Sequence, residues 1–285
     1  QERCYSRFLQ PWLEMEQEGI VSMVGRTTSP GGSCSYDYPR LLQIGFKGIQ
    51  EHARDKLSSL DLTNPNDFSK TIFLEAVMIV CDAMAILGKR HADVAHEMAK
   101  GQKDPIRKAE LEKIAEVCDW VPYNPPRTFW EALQTLWFAH MCMWMEAQAS
   151  GHSLSRLDNY LYPFYKKDIE EGRLTKEAAQ ELLDCLWIKL GSIKWLTNEL
   201  TATFVGGGTP AQNVTVSGLT PEGKDDTTEL SYMCLQAAMD VRLPQPTMTV
   251  IWHKGTPVDL QMKVCELMRI GTGHPAVLNA DVGVR

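Results

Sequence analysis

The sequence lacks the short motifs that identify several common active sites. It has no GxSxG turn for a nucleophilic serine, no HExxH helix for zinc, and no CxxC among its eight cysteines. His91 and His96 are five residues apart, which turns them about 140° away from each other on a helix, so we expect surface histidines rather than a zinc pair. The glycine-rich stretch FVGGGTPAQN (204–213) contains no lysine, which excludes a Walker phosphate loop. Its glycines instead predict a close backbone approach to a substrate or to another strand.

Positively charged side chains are outnumbered by negatively charged ones. The chain has 29 Lys and Arg against 36 Asp and Glu, a formal net charge of −7. Nucleic-acid binding needs a basic face, so no nucleic-acid partner is expected. The longest nearly apolar run, LQTLWFAHMCMWM (133–145), is too short to cross a bilayer, and its His140 is expected to be a hydrogen-bonded core histidine.

Export signals are missing as well. No signal peptide is visible, although the chain begins at Gln1 rather than at a methionine, which is compatible with a natural N-terminus further upstream. The cysteines are widely spread along helical patterns, which favours buried free thiols over a disulfide framework. The sequence therefore predicts a soluble cytoplasmic protein that handles a small molecule.

Helical periodicity fills most of the chain, and short β-branched runs appear late. The sequence predicts a mainly helical part over about 1–200 and alternating strands and helices over about 201–285. The strand candidates are NVTVSGL, TMTVIWH and PAVLNADV (213–219, 247–253 and 275–282). Strands that alternate with helices pair in parallel, so the predicted fold class is α/β, with a sheet or barrel.

Several helix starts can be read from capping patterns. Asn66 and Asp67 are cap candidates for a long helix whose centre is apolar on nearly every face, so that helix is predicted to be buried all round. Pro105 suits the first turn of the next helix. Thr128, with a glutamate three residues later, and Thr175 are expected to cap two more.

His152 and Ser153 have a distinct sequence context. They follow Gly151, which reads as the C-cap of the preceding helix, so they are expected in a turn between two helices. A histidine beside a hydroxyl can bind a substrate hydroxyl, carboxyl or amine. The alternative is a Ser153 helix cap with a space-filling His152. Two further histidines border strand candidates without a partner visible in the sequence, His253 and His274.

Longer stretches carry a family resemblance. PRTFWEALQTLWFAH and SGHSLSRLDNYLYPFYKKDIEEGRLTKEAAQELL resemble the pyruvate formate-lyase-like glycyl radical enzymes, as do GGGTPAQNVTVSGLTPEGKDDTTELSYMCLQAAMDVRLPQPTMTVIWH and GTGHPAVLNADV. The resemblance covers nearly the whole chain, is densest over 125–282, and favours the dehydratase, lyase and decarboxylase branch. It implies the helix-rich portion of a ten-stranded α/β barrel with two antiparallel halves.

The resemblance also implies a radical mechanism. An activase with S-adenosylmethionine and an iron–sulfur cluster installs a glycyl radical, which passes to a cysteine whose thiyl abstracts a substrate hydrogen. That cysteine lies in a Gly-Cys-x-Glu motif just beyond the segment similar to GHPAVLNADV, and this chain ends at Arg285 before it. We therefore expect 1–285 to be part of one pyruvate formate-lyase-type domain, without the thiyl loop or the glycyl radical domain, inactive alone, free of metal and dimeric in the full enzyme.

Substrate-binding positions are likewise implied by the resemblance. In glycerol-dehydratase-like members the Gly-His-Ser step presents its histidine and serine to substrate hydroxyls, and His152 and Ser153 match it. Ser33 stands where relatives carry a histidine, which counts against simple polyol chemistry. Relatives often carry an aromatic where this chain has Pro210 and Ala211, so a roomier pocket is expected. The implied substrate-binding residues are His152, Ser153, Ser33, Asp37, Thr209, Ala211 and Gln212.

Three functions remain open at this point. The first is a radical lyase or dehydratase acting on a small hydroxylated, amino or carboxylate substrate. The second is an arylacetate-type decarboxylase, or another C–C, C–N or C–S lyase of the same family, favoured by the space near Ala211. The third is a non-catalytic truncated domain that acts as a binding or folding unit.

Overall fold

The structure is a computed structural model that describes residues 33–146, 151–193 and 211–283. Helices and strands alternate along them. In chain order they are β1 (Ser33–Ser35), α1 (Tyr38–Ser58), α2 (Pro65–Gly101), α3 (Pro105–Trp120), α4 (Phe129–Glu146), β2 (Gly151–Arg156), α5 (Leu157–Tyr160), α6 (Tyr162–Glu170), α7 (Lys176–Ser192), β3 (Ala211–Val216), α8 (Glu229–Val241), β4 (Thr247–Trp252), α9 (Val258–Ile270), β5 (Ala276–Asn279) and α10 (Ala280–Gly283).

The strands form one parallel sheet. Its spatial order is β1-β2-β3-β4-β5, so every strand pairs with the next strand along the chain. Right-handed crossovers between successive neighbours put the connecting helices on the same side of a sheet. The predicted α/β class with parallel pairing is confirmed.

The two sides of this sheet differ in composition. Side chains alternate between the faces of a strand. One face packs on the helices and is here called the covered face; its apolar members in the large core cluster are Leu154, Val214, Val216, Met248 and Val250. The other, here called the open face, carries Ser153, Asn213, Thr215, Thr247 and Thr249.

The segment around His152 differs from the sequence prediction. Gly151 is not a helix C-cap and Ser153 is not a helix cap, because both belong to strand β2. The letters GHSLSR include no Val, Ile or Thr, so β propensity gives no signal there. Pairing with β1 on one side and β3 on the other makes the strand, and a register shift between Ser153 and Ser155 interrupts it.

The long helix α2 also differs from its prediction. It begins two residues earlier than expected, with Asn64 as the cap and Pro65 in the first turn. It is not buried all round, since Ile72 and Phe73 are each 69% exposed. Its buried contacts with α3 run along small residues, and a Cβ on Gly88 would come within 2.6 Å of the Val121 carbonyl oxygen.

Helix α2 has a further property that the sequence reading missed. Within the described residues it is long and apolar enough to cross a membrane by length and composition, with a mean hydropathy of 2.0 over its best window, 17% of which is buried. Glu75 and Asp82 interrupt its apolar run, which is why the search for uninterrupted runs passed over it. One helix of this kind is weak evidence for a membrane span.

The other helix starts agree with the capping patterns. Pro105 opens α3, the Thr175 hydroxyl accepts from the Ala178 N–H at 3.2 Å, and the Thr128 hydroxyl accepts from the Glu131 N–H at 3.2 Å. The Glu131 carboxylate accepts from the N–H of Arg127 rather than that of Thr128. The six cysteines on the described helices are free, as expected, but not all are buried. Cys81, Cys118 and Cys234 are buried, Cys142 is half-buried, and Cys185 and Cys265 are exposed.

Candidate functional site

Three neighbouring strands gather most of the predicted site residues. Ser33 pairs with Gly151 and Gly151 with Ala211, while His152 pairs with Gln212. Ser33 and Gly151 are 118 residues apart in the chain and Gly151 and Ala211 are 60 apart, yet they meet at the amino ends of β1, β2 and β3. The pairing thus assembles one site region from separate sequence motifs.

Two predicted site residues lie elsewhere. Asp37 is exposed and caps α1, where its carboxylate accepts from the Arg40 N–H at 3.1 Å. Thr209 lies outside the described residues. The structure therefore gives Asp37 a helix-capping contact and does not bring it to the amino ends of the strands.

His152 is buried on the covered face. It is 0% exposed, its Nδ1 lies 2.6 Å from the Tyr36 hydroxyl, and its ring meets the Trp144 ring edge-on with centroids 4.3 Å apart. The neighbouring Gln212 is 0% exposed as well. Both side chains therefore contact the helical layer.

His140 links this region to helix α4, as the sequence predicts for a hydrogen-bonded core histidine. Burial lowers its pKa to about 4, so the ring is neutral and carries one N–H. Its Nδ1 lies 2.9 Å from the Tyr38 hydroxyl, and its Nε2 lies 2.8 Å from Gln212 Oε1 and 3.1 Å from Trp144 Nε1. With the proton on Nε2 it donates to Gln212; with the proton on Nδ1 it accepts from Trp144.

Every nitrogen and oxygen atom of Gln212 takes part in a hydrogen bond. Its Nε2 donates to the Leu190 carbonyl at 2.9 Å, and its backbone N–H donates to Gln245 Oε1 at 2.9 Å. Its carbonyl accepts from the Thr247 hydroxyl at 2.8 Å. Together with His140, Gln212 ties strand β3 to α4, α7 and β4 without any net charge.

The open face near the same strands is lined by hydroxyl groups. Ser153 Oγ donates to the Asn213 carbonyl at 3.3 Å and accepts from the Ser155 N–H at 3.1 Å. The hydroxyls of Ser35 and Ser155 also contact each other. Ser153 thus faces away from His152, although the two are adjacent in sequence.

Asn213 organises the rest of the open face. Its Nδ2 donates to Thr247 Oγ1 at 3.1 Å and to Thr249 Oγ1 at 2.9 Å, and its Oδ1 accepts from the Thr215 hydroxyl at 3.0 Å. The sequence analysis missed these residues. The alternation N-V-T-V and T-M-T-V is the signal that reveals them, because a parallel strand covered on both faces has near-continuous apolar residues.

Charged pairs stand at the carboxyl ends of the strands. Buried Asp158 accepts from Ser217 N, Ser231 Oγ and Arg156 Nε at 2.7, 2.6 and 2.9 Å. Burial raises the pKa of the Asp158 carboxyl, and the Arg156 charge opposes that rise. These contacts tie the turn after β3 to the end of β2.

His253 and His274 also lie at strand ends. His253 Nε2 is 3.0 Å from Asp225 Oδ1, a partner that the sequence did not reveal. Burial lowers the pKa of His274, which precedes β5. Among 33–146, 151–193 and 211–283, no group of three His, Cys, Asp or Glu side chains is placed to hold a metal ion.

Comparison with known proteins matches the whole chain to one family. A model of the pyruvate formate lyase-like family covers residues 1–285. The isethionate sulfite-lyase of Oleidesulfovibrio alaskensis is 40% identical over 274 residues, which is 93% of this chain and 33% of that protein.

Solved structures give the same result. The hydroxyproline dehydratase of Clostridioides difficile with trans-4-hydroxy-L-proline bound is 33% identical, with a TM-score of 0.89 over 98% of this chain and 35% of that one. The glycerol-bound B12-independent glycerol dehydratase of Clostridium butyricum is 38% identical, with a TM-score of 0.86 over 89% of this chain and 32% of that one. The chain thus spans about a third of the length of these relatives.

Proposed function

The chain belongs to the pyruvate formate lyase-like family, and on this premise we propose that the full-length protein is a cytoplasmic glycyl radical lyase or dehydratase acting on a small hydroxylated substrate. The observation that carries the proposal is the open face of the sheet. Its described hydroxyl and amide groups form a neutral polar surface on a singly wound parallel sheet. Such a surface suits a small molecule with several oxygen atoms.

The residues present fit the radical group that the family implies. Six cysteines lie on helices α2, α3, α4, α7, α8 and α9, away from the open face, and Cys34 on β1 pairs with His152, whose side chain lies on the covered face. We therefore assign the reacting thiol to a part of the protein outside the described residues. A glycyl radical installed by an S-adenosylmethionine-dependent activase would supply the hydrogen abstraction. This chain's own residues would bind the substrate, orient it and exclude water.

We assign substrate contacts to the sequence-predicted residues at the amino ends of β1–β3. Ser153 lies on the open face and carries a hydroxyl, and exposed Ala211 begins β3 beside Gly151. Ser33, His152, Gln212 and Thr209 remain assigned to this site as part of the proposal. Asp37 is assigned to the substrate from its position at the start of α1, two residues beyond β1.

The arylacetate-type decarboxylase remains the second candidate. The observation in its favour is that exposed Ala211 pairs with Gly151, so two adjacent strands begin without a large side chain. That arrangement leaves space for a ring. A homodimeric full-length enzyme belongs to either candidate.

The test is activation of the full-length protein under anaerobic conditions. We expect a glycyl radical signal by electron paramagnetic resonance after treatment with the activase, and turnover of isethionate, trans-4-hydroxy-L-proline or glycerol. Turnover of 4-hydroxyphenylacetate alone would favour the second candidate. A full-length gene without a Gly-Cys-x-Glu motif, and a protein without radical or turnover, would support the non-catalytic alternative.

A paired measurement tests His152. If its ring holds a substrate oxygen, His152→Ala should lower kcat/KM roughly threefold to tenfold for an uncharged oxygen and roughly tenfold to a hundredfold for a charged one. The lost hydrogen bond costs about 0.5–1.5 kcal/mol in the first case and about 1.5–3 kcal/mol in the second. The radical content should stay unchanged. His96→Ala, which removes an exposed histidine on α2, is the matched control. Full activity of His152→Ala with a lowered melting temperature would make His152 structural.

A further inference from the structure

Thr249 is a buried residue on the open face, and its hydroxyl accepts a hydrogen bond without donating one. The residue is 7% exposed, and its Oγ1 accepts the Asn213 amide at 2.9 Å. Within the described residues, no hydrogen bond is made by the hydroxyl proton itself. Buried donors are nearly always paired in folded proteins, so this one indicates a partner that completes the site.

The hydrogen bonds of Asn213 explain why the hydroxyl proton of Thr249 is not donated to Asn213. Both hydrogens of the amide Nδ2 are used by the two threonines of β4, and Oδ1 accepts from Thr215 at 3.0 Å. The Asn213 side chain therefore presents a donor, and not an acceptor, to Thr249. A threonine that accepts from this amide has to donate elsewhere.

Thr247 is the natural comparison, because the same amide holds it. Its Oγ1 accepts from Asn213 at 3.1 Å and donates to the Gln212 carbonyl at 2.8 Å. Its hydroxyl proton is therefore already donated within the fold. Two residues further along β4, Thr249 receives the same hydrogen bond and has the donor left over.

We propose that Thr249 binds the substrate by donating its hydroxyl proton to a substrate oxygen, and that Asn213 is the positioning residue that orients this hydroxyl. This inference rests on the proposed function and adds a contact to it. Across the strand pair, Thr249 lies opposite Ala276, a small exposed residue that leaves room for a ligand. The chemical class is an oxygen acceptor, which is a hydroxyl in glycerol and a hydroxyl or sulfonate in isethionate.

The experiment uses the activated full-length protein and the substrate among isethionate, trans-4-hydroxy-L-proline and glycerol that it turns over. Thr249→Val removes the donor and keeps the shape. We expect KM to rise roughly threefold to tenfold if the acceptor is uncharged and roughly tenfold to a hundredfold if it is a sulfonate or carboxylate, with a smaller change in kcat. Thr249→Ser, which keeps the hydroxyl, should have the wild-type KM.

Two further variants separate binding from structure. Thr247→Val should lower the melting temperature and raise KM clearly less than Thr249→Val does, because its hydroxyl proton is used by the Gln212 carbonyl. Asn213→Asp replaces the donor by an acceptor, so the Thr249 proton turns to the carboxylate. It should raise KM as Thr249→Val does, and the double variant should be no worse than the more damaging single one.

The outcomes distinguish this inference from the proposed function. Wild-type protein without radical or turnover contradicts the proposed function. Calorimetric titration of isethionate and of glycerol into unactivated wild type and Thr249→Val then decides the inference alone. An unchanged KM or affinity in Thr249→Val, an equal rise in Thr247→Val, or no binding to either protein overturns it.

Discussion

Gln212 and Asn213 are neighbouring amides on one strand, and they show how the two faces of the sheet differ. Gln212 is 0% exposed on the covered face and is bound to His140, Leu190 and Gln245. Asn213 is half-buried on the open face and directs its amide at the threonines of β4. The same functional group fastens the fold on one face and arranges hydroxyls on the other.

This difference follows from what each face meets. The covered face meets helices, so its polar groups must be satisfied internally and its other residues are Leu, Val and Met. The hydroxyls of the open face are arranged around Asn213, and that of Thr249 keeps bonding capacity. A polar residue on the covered face therefore affects stability first, whereas a residue on the open face that keeps an unused donor, as Thr249 does, affects binding first.

The largest expected effect concerns the two edges of the sheet when residues 1–285 are expressed alone. β1 and β5 are the edge strands within the described residues, and Val277 and Leu278 on β5 are 44% and 54% exposed. Unpaired apolar edges promote association. We expect oligomers or aggregates by size-exclusion chromatography with light scattering. A monodisperse monomer with a cooperative melt would contradict this expectation.

His140, in the helical layer that packs on the covered face, should affect the pH dependence of stability. Burial lowers the pKa of His140 to about 4, whereas an unfolded histidine has a pKa near 6.5. The unfolded chain therefore binds more protons between these values. The His140 contribution to stability is complete above pH 6.5 and is lost as the pH falls towards 4, about 3 kcal/mol in all.

His140→Gln removes this titration and serves as the comparison protein. We expect the free energy of unfolding of the full-length wild type to fall more steeply than that of the variant between pH 6.5 and 4. The raised pKa of Asp158 acts with the opposite sign, but it is present in both proteins and cancels in the difference. Identical pH profiles in urea denaturation would show that folding does not lower the pKa of His140.

A pair of substitutions on β3 compares the two faces directly. Gln212→Leu leaves the Leu190 carbonyl and the His140 ring without their buried partner, so we expect a loss of about 3 kcal/mol. Thr215→Val on the open face removes one half-buried hydrogen bond to Asn213 and should cost less than about 1 kcal/mol. Denaturant unfolding of both full-length variants measures the difference; equal losses would contradict it.

Sequence alone predicted strands where β-branched residues are frequent. β3 and β4 were found because N-V-T-V and T-M-T-V have high β propensity. β2 was missed because its residues favour no strand, and only pairing on both sides makes it one. Helix α2 was predicted to be buried because apolar periodicity reports what a surface can bury, not whether a neighbour covers it.

The candidate site was predictable to a similar degree. The resemblance singled out His152 and Ser153, but the reading of Gly151 as a helix C-cap placed them in a turn. The sequence therefore did not show that they lie on opposite faces of a strand. The partners of His140 and His253 come from distant strands and loops, and no local pattern reveals them. Asn213 and Thr249 are recoverable in principle from the alternation of polar and apolar residues.

Substitution of Ala211 is expected to have the smallest effect on the fold and a selective effect on activity. Ala211 is exposed and pairs with Gly151, so Ala211→Phe adds a ring without entering the packed core and should leave the melting temperature nearly unchanged. In the activated full-length protein we expect kcat/KM to fall for the bulkier trans-4-hydroxy-L-proline and to be kept for glycerol or isethionate. Ala211→Gly, which adds no volume, is the control. An equal loss for every substrate, or a large loss of stability, would place Ala211 outside the substrate pocket.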